Sequence, residues 1–172
     1  MRLTFLGTAS GLPAPTRFGQ TIVLTVDEAA SPPRHILLDP GDGASSLLAR
    51  GGFDHTHIAA IFISHMHADH HGGFAQVVKT SMHLGKRSPL VVYAPAEGIA
   101  ALQAYLDASY LFAPWLGFEL VWVPLSSCLQ QETSLVDGVR MQLMANAHLR
   151  SWRARVAGLA QPPRTCSFES YS

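Results

Sequence analysis

The sequence predicts an α/β (α+β) fold on three observations. Short apolar or β-branched runs alternate along the chain with stretches of helical composition. One run, Ile58–Ile63, is apolar throughout, the pattern of a strand buried on both faces. A dense group of chemically active side chains follows that run at once, where strand-end loops of such folds carry function. With 172 residues the chain is long enough for one domain with a real core, expected to span 1–172.

Leu3–Leu6 is a short apolar run stopped by Gly7 and reads as the first strand. Gly11, Pro13 and Pro15 make a loop. Thr21–Val26 is β-branched and reads as a second strand. Ser31-Pro32-Pro33 is read as a turn before a third strand, His35–Leu38. After Asp39-Pro40-Gly41-Asp42-Gly43 a short helix runs to about Arg50, closed by Gly51-Gly52. Gly72-Gly73 follows the histidine-rich loop and opens a helix from Phe74 to Leu84. Leu90–Tyr93 is a strand, Ala96–Leu111 is helical in composition, and Glu119–Val123 is a strand stopped by Pro124. Asp137-Gly138 is the signature of a tight hairpin, whose second strand runs through Met141–Ala145 towards His148. The stretch around Pro162-Pro163 is loop-like, and Ser167–Ser172 alternates as a strand does.

Composition narrows the classes. The chain is 48% hydrophobic and 14% charged, which points to a well-buried core or to apolar surface that needs a partner. Twelve basic and twelve acidic residues cancel, so the total gives no broad basic footprint for RNA. Lys79 and Lys86 are the only lysines. Cys128 and Cys166 lie in no paired metal or redox motif, and a reduced pair is the simpler reading. The start has too short an apolar run for a signal peptide, and no run is long enough to span a membrane. The expectation is a soluble cytoplasmic protein with no membrane partner.

His65, His67, Asp69 and His70 fall within six residues directly after the buried run. Imidazoles and carboxylates are natural ligands for zinc and similar ions. In extended backbone i and i+2 point the same way, so His65 and His67 reach one ion. Asp69 and His70 follow once the chain has turned and reach a neighbouring one. Two ions about 3.5–4 Å apart form a hydrolytic centre. Four such groups at the end of a buried strand have no packing reason to collect there, and leaving them unpartnered is costly. His148, at the end of a second strand, is the expected third ligand of the first ion. His71 is expected to point away from the site, His55 and His57 to lie on the surface, and His35 and His83 to play ordinary structural parts.

The pattern His65-x-His67-x-Asp69-His70 resembles the signature of the metallo-β-lactamase superfamily. Phe5-Leu6-Gly7-Thr8-Ala9-Ser10-Gly11-Leu12-Pro13 resembles the opening strand and glycine turn of its ribonuclease Z-like branch. Leu37-Leu38-Asp39-Pro40-Gly41-Asp42-Gly43 resembles that branch's Asp-x-Gly-x-Gly stretch, and Ile61-Phe62-Ile63-Ser64 and Pro89–Pro95 fit as well. The resemblance covers Arg2 to about Tyr171. It implies an αββα sandwich with one or two zinc ions, or manganese or iron. It implies that His65, His67 and His148 hold one ion and that Asp69 and His70 hold the other. A hydroxide between the ions would then attack a phosphodiester phosphorus, with Asp69 orienting or deprotonating the attacking water.

Two departures from the family pattern shape the expectation. Between Gly98 and Val123 there is no long Gly/Pro-rich arm of the kind that grips transfer RNA, which shifts the expected substrate towards a smaller phosphodiester or another ester. The family pattern continues with a bridging aspartate, a last histidine and further strands, and no histidine follows His148 here. The sandwich is therefore expected to lack its last strands and helix, as a truncated form or as a homodimer covering the apolar face. Three functions follow: a two-metal phosphodiesterase resembling ribonuclease Z; a hydrolase of a thioester, lactone or β-lactam on the same fold; and a non-catalytic, metal-stabilised binding or assembly module.

Overall fold

The computed structural model describes residues 1–12, 14–28, 31–129, 132–136, 139–145 and 166–171. Strands β1 (Arg2–Gly7), β2 (Thr21–Glu28), β3 (Ser31–Leu38), β4 (Ile58–Phe62), β5 (Leu90–Ala94) and β6 (Leu120–Pro124) form one sheet in that spatial order. β1, β2 and β3 pair antiparallel, and β3 to β6 pair parallel. The parallel half follows from the chain between strands. Helices α1 (Ala44–Arg50), α2 (Ala68–His71), α3 (Phe74–His83) and α4 (Ala96–Ala108) lie in the crossovers that parallel strands require. Strands β7 (Glu132–Val136), β8 (Val139–Ala145) and β9 (Cys166–Tyr171) form a second, antiparallel sheet.

The large sheet separates two apolar layers. On one face Val23, Leu37, Ile61, Ile63 and Val92 pack with Leu48, Phe74, Val78 and Leu102 of the helices. On the other, Leu24, Ile36, Leu38, Phe62 and Tyr93 pack with Val139, Met141 and Leu143 of the second sheet. β4 is buried on both sides because it lies between these layers, as its unbroken apolar run predicts. The alternation of β8 has the opposite cause: Met141 and Leu143 turn inward while Arg140, Gln142 and Met144 face out. No described helix is long and apolar enough to cross a membrane.

Three local expectations need correction. Ser31-Pro32-Pro33 does not turn the chain but opens β3. All three residues are exposed and precede the first pairing with β4, at His35↔Ile58, so the missing proline N–H groups cost no bond on that side. The helix of Ala96 ends at Ala108, short of Leu111, where Tyr110 takes the left-handed conformation (φ 58°). His55 is buried, not on the surface. Asp54 caps a one-turn 3-10 helix, His55–His57, by accepting from the Thr56 amide, and His55 Nε2 lies 3.1 Å from Ser45 Oγ of α1. Lys86, one of two lysines, is also buried, its Nζ donating to the Thr56 carbonyl and to Ser88 Oγ.

Candidate metal centre

The group lies at the carboxyl ends of parallel strands β3 and β4, where open α/β sheets bind ligands. Leu38 pairs with Phe62, and the Asp39 amide donates to the Phe62 carbonyl, so the first residue past β3 lies beside the end of β4. Asp39 takes positive φ (47°), a strained backbone that aspartate tolerates better than most residues. The following loop threads between segments with no room for side chains. A Cβ on Gly41 would stand 2.5 Å from the Asp69 carbonyl oxygen and 2.6 Å from that of Gln20. His67 then opens α2, whose first turn carries Asp69 and His70.

The four clustered side chains come together in two pairs. His65 Nε2 is 2.9 Å from His67 Nδ1, and Asp69 Oδ2 is 3.4 Å from His70 Nε2. The rings of His65 and His70 are 4.0 Å apart between centroids, so the pairs adjoin. The far ring nitrogens of His65 and His70 are engaged. His70 Nδ1 is 2.8 Å from Asp39 Oδ2, and His65 Nδ1 is 2.9 Å from Ser64 Oγ. Ser64 in turn donates its amide to Asp39 Oδ1 and its hydroxyl to Asp39 Oδ2, at 2.7 and 2.8 Å. Burial opposes the charged form of His70, yet the hydrogen bond and charge of Asp39, with Asp69, outweigh it and raise its pKa. For His71 burial dominates and the pKa falls.

The donor set fits a metal ion. Two ligands on one tetrahedral zinc lie about 3.3 Å apart for bonds of about 2.0–2.1 Å. Both pairs are near that separation, and each pair has a histidine whose far nitrogen is bonded to a carboxylate or hydroxyl, as metal-bound imidazoles require. Among the described residues no group of three or more His, Cys, Asp or Glu side chains is placed to hold one metal ion, so the fit is of donors in pairs. His148 lies outside the described residues. His35 pairs with Thr25 Oγ1, and His55 with Ser45, away from this group. In the sequence Asp39 and Ser64 stood out only within stretches that resemble the family, and neither was given a part in the site. Asp39 could have been singled out as the polar residue ending the strand before the buried one; Ser64 carried no signal beyond its place.

This sheet order, with helices on one face and a second sheet on the other, defines a metallo-β-lactamase fold. Residues 1–160 match the family described as Anti-Pycsar protein Apyc1, and the chain belongs to that family. Ribonuclease Z of Methanosarcina acetivorans is 31% identical over 96 residues, 56% of this chain and 30% of that protein. Zinc phosphodiesterase ELAC protein 2 of Macaca fascicularis is 36% identical over 113 residues, 60% of this chain and 13% of that protein. The chain thus spans less than half the length of either relative. The crystal structure of the human short-form tRNase Z superimposes with a TM-score of 0.69 at 21% identity, over 99% of this chain and 64% of that one, a likeness of fold.

Proposed function

We propose that this chain is a metal-dependent hydrolase that cleaves a phosphodiester at the group after β4. The observation that carries the reading is the pairing of donors: His65 with His67, and Asp69 with His70, each near the spacing of two ligands on one ion. The ligands of this reading are His65, His67 and His148 for one ion and Asp69 and His70 for a second. Zinc is the preferred ion, in keeping with the name of the macaque relative. When bound it would supply Lewis acidity and an acidified water. The chain's own residues do the rest. Asp39 and Ser64 hold the imidazoles in place, and Asp69, in reach of the same point as His70, orients the attacking water and takes its proton.

A small phosphodiester suits the site better than transfer RNA. Between Gly98 and Val123 the chain forms the rest of α4, one 3-10 turn at Ala113–Trp115 and the start of β6, with no projecting arm. The formal charge is zero, so no excess of positive charge draws in a polyanion. The reading keeps residues 1–172 as one domain of a cytoplasmic protein that acts as a homodimer.

Elemental analysis of the purified chain, with bis(p-nitrophenyl) phosphate hydrolysis on the same sample, tests this. Two ions and chelator-sensitive hydrolysis are expected. At most one ion and no hydrolysis would favour the metal-stabilised binding module instead. Cleavage of a transfer-RNA precursor at a rate matching the small ester would overturn the choice of substrate.

A further inference from the structure

Asp39 receives three hydrogen bonds from the loop that follows β4 and from α2 beyond it. Its Oδ1 accepts from the Ser64 amide, and its Oδ2 from Ser64 Oγ and His70 Nδ1. A carboxylate only accepts, and a serine hydroxyl has one proton to give. That proton is spent on Asp39, so at its contact with His65 Nδ1 the Ser64 oxygen accepts and the imidazole donates. His65 then carries its proton on Nδ1, and so does His70, which donates directly to Asp39. We propose that Ser64 is a positioning residue that extends the direction imposed by Asp39 to His65. One carboxylate thereby fixes the tautomer of a histidine in each donor pair and leaves both Nε2 atoms as the lone-pair nitrogens.

The use of this arrangement rests on the metal reading above. Only neutral imidazole nitrogen without a proton binds a metal, and the partner of the other nitrogen decides which one that is. A single acceptor serving both histidines makes the two pairs dependent on each other: Asp39 reaches one pair directly and the other through Ser64. Ser64 therefore affects the His65 pair alone, and Asp39 affects both.

The test uses the full chain with labelled histidine nitrogens. Two-bond proton–nitrogen NMR correlations, recorded with chelator at mildly alkaline pH, should show His65 and His70 protonated on Nδ1. Ser64→Ala should release His65 from that tautomer and leave His70 unchanged, Ser64→Thr should restore His65, and Asp39→Asn should release both. A wild-type His65 protonated on Nε2, or a His65 indifferent to Ser64→Ala, would overturn the proposal. Competition for Zn2+ against a chelator gives a second arm. Ser64→Ala should weaken uptake by about 10–100-fold, the usual effect of losing such a partner, with recovery in Ser64→Thr. Unchanged Zn2+ affinity in Ser64→Ala overturns the role of Ser64. A wild-type chain that shows both Nδ1–H tautomers yet takes up no Zn2+ overturns the metal reading and upholds the relay.

Discussion

Asp39 holds a left-handed backbone conformation, and its side chain gathers three hydrogen bonds from the neighbouring strand end. Strain at one residue persists when its surroundings over-determine it, and here the surroundings are the two histidine pairs. The division of labour among the clustered residues can be separated by substitution. His65→Ala should remove the first ion, read as loss of metal by elemental analysis; full retention would contradict the ligand assignment. Asp69→Ala should keep that ion yet lower hydrolysis by about 10²–10⁴-fold, the span of a lost general base. Unchanged turnover would remove its role. The ligand-type residues were visible in the sequence because they are crowded into six positions. Asp39 stood out only as part of a stretch that resembles the family, and its contacts did not, since it stands 25 residues before Ser64 and only parallel pairing brings the two together.

The element that positions the group is the loop from Asp39 to Gly43, wedged between α2 and the β1–β2 loop. Gly41 touches backbone on both sides, and backbone cannot rotate away as a side chain can. Gly41→Ala should therefore displace the Asp69 carbonyl. It should cost about 1–3 kcal/mol, as overpacking does. Lower Tm together with lower zinc content is the expected result; a normal Tm and full zinc would show that the loop yields freely. The strands and most helices were legible from their apolar runs and glycine boundaries. The opening of β3 was not, because two prolines signal a turn unless the strand's neighbour begins further along, and that depends on register.

At the scale of the molecule, two buried histidines couple folding to pH. Burial is the main cause that lowers the pKa of both His35 and His55 below 6.5 in the folded chain. As pH falls below 6.5 the unfolded chain takes up protons that the native one resists, so their contribution is complete above that value and is lost towards the lower folded values. Urea unfolding should show a lower midpoint at about pH 5 than at neutral pH, and His55→Gln should lessen the difference. An equal midpoint at both values would refute the linkage. The outer edge of the large sheet makes a second prediction. Leu3 and Phe5 pair with Leu24 and Ile22 and share their face, yet are 49% and 59% exposed. In the proposed homodimer a second copy covers them, so sedimentation should rise with concentration and Phe5→Lys should abolish the rise. A wild-type monomer at all concentrations would rule the dimer out.

Local patterning along the chain was enough for the α/β class, the buried central strand and the identity of the clustered ligand-type residues. Those depend on period, composition and neighbours a few positions apart, all of which are local. The meeting of Asp39 with His70 and Ser64, the interior places of His55 and Lys86, and the lack of room for a side chain at Gly41 came only with the folded chain. Each of these depends on segments distant in the chain meeting at one place. Contact across adjacent strands is set by register and packing, which no single stretch of sequence contains.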